Sequence, residues 1–206
     1  MSIPDDVLER MQPRPYDEVR GLVQDGDLFL CSAHDPFSRL IRWATKSPWS
    51  HIGVALRVPH IDRILVLECV AKLGTRAVAL SDFITRTSDG TTPYPGRILM
   101  ARHDGLREGP DPATIRLLAE YALDRLGTPY SNAETAKIGA RVAAGRLNIK
   151  LPGRLMPDNE FICSEYVARC YAHAGLPIPW DGLGFVAPGD FAADPAVQAV
   201  AQVQTK

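Results

Sequence analysis

No apolar run in this 206-residue chain approaches the roughly 20 residues that a membrane-spanning helix needs. Its four cysteines, at positions 31, 69, 163 and 170, form no CxxC pair and lack the spacing of a secreted disulfide framework. A zinc site is therefore not expected, and nothing calls for a metal or an organic cofactor. The opening MSIPDDVLERMQPRP has no apolar h-region, so no secretory signal is expected and the default compartment is the cytoplasm. Neither sign of charge dominates: 23 Lys and Arg against 24 Asp and Glu leave a net charge of −1. That balance excludes a global pull toward nucleic acid. Repeats and low-complexity tracts are missing as well. What remains, 46% hydrophobic and 23% charged residues, is the composition of one ordinary globular domain.

Residues 1–20 read as a polar, proline-punctuated lead-in, 21–192 as the domain, and 193–206 as a C-terminal tail. DLFLC is a short strand. Asp35 and Pro36 have the chemistry of a helix start, with Phe37, Leu40, Ile41 and Ala44 as its apolar stripe. HIGVALRV and RILVLECV are strands joined by residues 59–62, and TRAVAL and RILMARH are two more. Asp111-Pro112 opens a helix that Gly127 stops, and a second clear helix spans 163–174 before Gly175. Between them ETAKIGARVAAGRL is a weaker helical candidate, followed by the loop NIKLPGRLMPDNE. Strands early and helices late give an α+β class, with helices packed on an antiparallel sheet.

The pleat of HIGVALRV separates Ile52, Val54, Leu56 and Val58 from His51, Gly53, Ala55 and Arg57. Two residues of the second face are small and leave room for a cleft beside His51. A symmetric four-residue hairpin would pair Val58 with Arg63 and set Glu68 opposite Gly53, diagonal to His51 and within reach of it. A carboxylate there would fix the imidazole tautomer and favour its charged form. The plain alternative is a satisfied histidine and a solvated glutamate.

Cys163 heads the stripe Val167, Cys170 and Ala174 of the late helix, and so points inward. At a helix N-terminus, unpaired N–H groups stabilise a thiolate and can donate to an oxyanion. Asp158 and Asn159 are the cap candidates. Burial as a small hydrophobe explains the inward orientation equally well. Cys31, Cys69 and Cys170 lack such a position and read as filler.

The order of segments adds to this. LGTPYSN followed by FICSEYVARCYAHAGLPIP resembles the first half of an NlpC-type papain-like cysteine peptidase, and VQDGDLFL, WSHIGVAL and ILVLECVA resemble its second half. Here the second half comes first, so residues 20–192 resemble the circularly permuted, YiiX-like papain-like amidases, with a small, open barrel-like sheet packed against helices. The resemblance implies Cys163 as nucleophile, His51 as general base and Glu68 as the residue that orients it. It implies Tyr130 beside the oxyanion, with Ser164, Ser50 and Trp49 as neighbours that bind substrate. Two departures stand out. The family's D-C-S-G is I-C-S-E here, so that Glu165 replaces a small residue, and SNAET replaces the family's W-G-G.

The function implied is a cysteine hydrolase that cleaves an amide (a cell-wall peptide or an N-acyl group) or an ester through an acyl-enzyme. An acyltransferase or lipid hydrolase, or a non-catalytic binding module of the same fold, are the alternatives. The partner expected is a peptide or acyl-bearing substrate, not nucleic acid. The segment 137–154, with Lys137, Arg141, Arg146, Lys150 and Arg154 among apolar residues, is either a lid, a surface that meets anionic lipid, or a solvated helix face.

Overall fold

A computed structural model describes residues 2–87, 90, 92, 94–107, 111–130, 162–180 and 186–205. The helix and loop expected over 133–158, the segment 137–154 and the cap candidates Asp158 and Asn159 lie outside them.

The first strands form where the sequence reading puts them. β2 (Leu28–Ala33), β3 (His51–Val58), β4 (Arg63–Val70), β5 (Gly74–Ala79) and β6 (Gly96–His103) are all antiparallel to their neighbours. The β3–β4 register pairs Val58 with Arg63 and Val54 with Leu67, as a symmetric turn requires. Asp62 at that turn adopts a left-handed φ of 49°. Between β2 and β3, helix α3 (Pro36–Thr45) starts where expected, with Asp35 Oδ1 accepting from the Ser38 N–H at 3.0 Å. Its apolar stripe does not turn fully inward, however: Leu40 is 51% exposed.

Both chain ends differ from the sequence reading. The lead-in folds into α1 (Val7–Arg10), β1 (Pro13–Arg14) and α2 (Tyr16–Leu22), with Ile3, Val7, Leu8 and Val19 buried. The supposed tail contains β7 (Val197–Val203), which runs antiparallel to β6 and parallel to β1. Among the described residues the strands form one open seven-stranded sheet in the order β1-β7-β6-β2-β3-β4-β5.

Helices cover both faces of the sheet. On one face, α5 (Pro112–Leu123), α6 (Cys163–His173) and α7 (Pro188–Ala193) pack with α1 over Leu28, Leu30, Ile52, Val54, Leu67 and Leu99. On the other, α2 and α4 (Leu80–Thr85) cover Phe29, Ala55, Val66 and Met100. α6 is nearly buried all round, and the Tyr166 hydroxyl ties it to α5 by donating to the Ala122 carbonyl at 2.7 Å. A helix held this firmly can present its first residue at a fixed point of the sheet.

Candidate active site

The β3–β4 ladder ends at Val54–Leu67, while β4 continues to pair with β5 through Val70–Gly74. The strands part at Ile52, and Cys163, first residue of α6, arrives there. The backbone N–H groups of Ile52 and Ser164 both donate toward its sulfur, and so does the His51 ring. The residue capping α6 is Ile162, which offers no side-chain cap, so the first-turn N–H groups are left for the sulfur.

His51 stands at the start of β3, with its side chain 21% exposed. Its Nε2 lies 2.6 Å from Glu68 Oε2, which leaves Nδ1 as the nitrogen to meet the thiol. The Phe83 ring, centred 6.4 Å away, forms a wall beside the imidazole. Glu68 is 2% exposed, and its other oxygen accepts from Arg76 Nε at 2.8 Å. Gly53, beside this pair, is closely packed: a Cβ there would meet Val66 Cγ1 at 2.5 Å, with Glu68 Cβ at an ordinary 3.6 Å.

The electrostatics follow from that chain of contacts. Burial pushes the Cys163 thiol up, but the charge and hydrogen bond of His51, helped by the two N–H groups, hold it below its ordinary value. Burial also works against a charged His51. The Cys163 thiolate and then Glu68 outweigh it, and the imidazole is raised to about 10. Glu68 in turn would rise through burial, yet His51 and Arg76 keep it below the usual carboxylate range. The favoured state is a thiolate and an imidazolium backed by a carboxylate. Burial, by contrast, pushes Cys31, Cys69 and Cys170 well up.

A cavity of about 500 Å³ opens at Cys163 and His51 and is lined also by Tyr130, Ser50, Phe83 and Arg76. Tyr130 shares this cavity with Cys163 and His51. Ser50 reaches the lining, but its hydroxyl also clamps β2, accepting from the Ala33 N–H at 3.2 Å and donating to the Cys31 carbonyl at 3.3 Å. Two expected neighbours depart from a substrate-facing position. Ser164 turns its hydroxyl to the Val186 carbonyl at 2.6 Å, so only its backbone N–H serves the sulfur. Trp49 is fully buried in the core, with its Nε1 unpaired among the described residues. Glu165 is buried and joined to Arg169 at 3.1 Å.

Arg76 escaped the sequence reading. Its signal was available: a tight turn after Val70 pairs Gly74 with it and sets Arg76 opposite Glu68. The Ile52 N–H had no such signal, because its availability depends on where two strands separate.

Among curated proteins no sequence matches this chain. Among solved structures, the crystal structure of metalloprotein yiiX from Escherichia coli O157:H7 is similar, with a TM-score of 0.61 at 20% identity. The match covers 87% of this chain and 97% of that one, and it shows a shared fold. Among the described residues here, no group of three or more His, Cys, Asp or Glu side chains is arranged to hold a metal ion. No helix among those residues is long and apolar enough to cross a membrane. The family model of the permuted papain-like amidases, YaeF/YiiX, C92 family, matches residues 22–181, and the chain belongs to that family.

Proposed function

We propose that the protein is a cysteine hydrolase that cleaves an amide or ester through an acyl-enzyme on Cys163. The observation that carries this reading is the thiol of Cys163 at the head of a helix, sharing one cavity with His51, whose Nε2 is held by Glu68 at 2.6 Å. The Cys163 thiolate attacks the substrate carbonyl, and the oxyanion of the tetrahedral intermediate takes hydrogen bonds from the Cys163 backbone N–H and the Tyr130 hydroxyl. His51 gives its proton to the leaving amine or alcohol, and the thioester forms. Water then loses a proton to His51 and attacks the thioester, which releases the acid and restores the thiolate and imidazolium. Glu68 holds the ring and supports its charge throughout.

Transfer of the acyl group to water is favoured over transfer to another acceptor by the cavity itself. Asp35, Asp82, Arg76 and Arg86 line it together with its apolar residues, which suits a wet cleft better than a dry acyl tunnel. The test is intact-mass spectrometry of the protein mixed with activated acyl esters and acyl amides. A mass gain on Cys163 that decays with release of free acid supports the reading. If labelled iodoacetamide reacts with Cys163 no faster than with a free thiol, and no adduct forms, the fold serves as a binding module instead.

A further inference from the structure

We infer that α3 is a docking helix by which this protein lies on an anionic lipid surface, with the cavity mouth beside it. The two sides of the helix do different work. Asp35, Ser38 and Ile41 line the cavity that holds Cys163 and His51. The opposite side carries Arg39, Leu40, Trp43 and, just past the end, Lys46, at the spacing of one helical face. Leu40 is 51% and Trp43 54% exposed. An exposed Leu–Trp pair flanked by cations is the pattern of an interfacial helix: the apolar pair enters the headgroup boundary while the long cationic side chains reach the phosphates.

Charge and backbone support the same occupant. No acidic residue lies within α3, and neither Arg39 nor Lys46 has an ion-pair partner among the described residues. A shallow groove of about 600 Å³ runs beside Trp43 and is lined by Arg39, Arg42 and Lys46 against one acid, Asp5. That excess of positive charge, on a chain with a net charge of −1, is local and fits lipid phosphates. Lys46 also holds a left-handed φ of 50° at the end of the helix, where Ser47 N–H closes on the Arg42 carbonyl at 3.2 Å. Glycine would take that conformation without strain; a lysine there instead puts a cation at the edge of the apolar pair. A bilayer on this face lies one helix width, about 10 Å, from the cavity.

The experiment is co-sedimentation of the full chain with phosphatidylcholine vesicles, either pure or with roughly one-third phosphatidylglycerol. Binding is expected only to the anionic vesicles, and is lost at about 0.5 M salt. The double variant Arg39→Glu, Lys46→Glu should bind at least about 25-fold more weakly, since each cation near such a surface contributes roughly fivefold. Trp43→Phe should abolish the blue shift of tryptophan emission that accompanies binding, which assigns the shift to Trp43 and not to Trp49 or Trp180. Leu126→Ser, on exposed surface elsewhere, should change nothing. Circular dichroism and thermal melts verify that each variant is folded. The proposal is overturned if wild-type protein stays in the supernatant with anionic vesicles at low salt, or if folded Arg39→Glu, Lys46→Glu binds as wild type does. It is equally overturned if sedimentation velocity detects a dimer that Trp43→Ser dissociates, because the face would then belong to a second copy.

Discussion

Glu68 and Arg76 face each other across the β4–β5 ladder, and the guanidinium holds one carboxylate oxygen at 2.8 Å while the other is given to His51 at 2.6 Å. The imidazole is thus oriented by a carboxylate that is itself oriented. A carboxylate that is 2% exposed needs this second partner, because a buried charge with a single neighbour would turn or take up a proton.

Arg76→Ala should therefore destabilise the fold, by about 2–3 kcal/mol at neutral pH, which corresponds to a loss of roughly 4–12 °C in Tm. The pH dependence has a definite sign. The Glu68 carboxyl sits below its ordinary 4.5 in the folded protein, so it contributes stability above that value and loses it as the pH falls through the folded one. Removing Arg76 raises the folded value and shrinks this contribution. Urea melts at pH 7 and pH 4 should show the gap between variant and wild type narrowing at the lower pH; a gap that stays constant would mean that Arg76 acts by packing alone.

Glu68→Gln keeps the shape of the contact and removes its charge. His51 then loses a negative neighbour at 2.6 Å, and its raised value, about 10, should fall by roughly 1–2 units. In the proposed mechanism the active form has a protonated ring and an ionised thiol. The alkaline limb of the rate profile should move to lower pH by that amount, with the acid limb shifted far less. Rates of Cys163 alkylation and of ester hydrolysis across pH 5–11 check this, and an unmoved alkaline limb would remove Glu68 from the site.

His51→Ala tests the thiol. Burial alone pushes Cys163 up, and His51 is the largest influence that brings it down. Without the ring the thiol should ionise above its ordinary 9.0, so alkylation at pH 7 should slow by about 100-fold. Hydrolysis should fall further, by 10³-fold or more, since the leaving group also loses its proton donor.

These contacts were legible in the sequence to unequal degrees, for physical reasons. The β3–β4 hairpin is local, so its register, the place of Glu68 and the need for a small residue at Gly53 could all be read from adjacent segments. The inward turn of Cys163 followed from helical spacing alone. β7 was not legible, because AVQAVAQV pairs with β6, nearly a hundred residues earlier in the chain, and with β1 at the opposite end. Its role depends on partners that no short window contains. Trp49 was misplaced for a related reason: position beside His51 in the chain says nothing about which side of the strand entrance turns into the core. Ser164 neighbours Cys163, but one step along a helix turns a side chain by about 100°, which carries its hydroxyl to Val186.

Gly74 links the hairpin to the far side of the cavity. Its φ is +76°, and a Cβ on it would lie 2.2 Å from the Thr128 carbonyl oxygen. Next to it, Thr75 N–H donates to that same oxygen at 2.9 Å, and Gly127 N–H donates to the Thr75 carbonyl at 2.9 Å. The seam fixes the turn that leads through Pro129 to Tyr130. In Gly74→Ala, left-handed strain and backbone collision act together, for a stability loss of about 2–4 kcal/mol. Opening the seam should displace Tyr130 and leave the Cys163–His51 pair on β3 and α6 in place. Hydrolysis by the folded variant at low temperature should then drop about tenfold or more, with Cys163 alkylation near the wild-type rate. Equal losses in both assays would mean that the seam holds the whole site and not the tyrosine side of it.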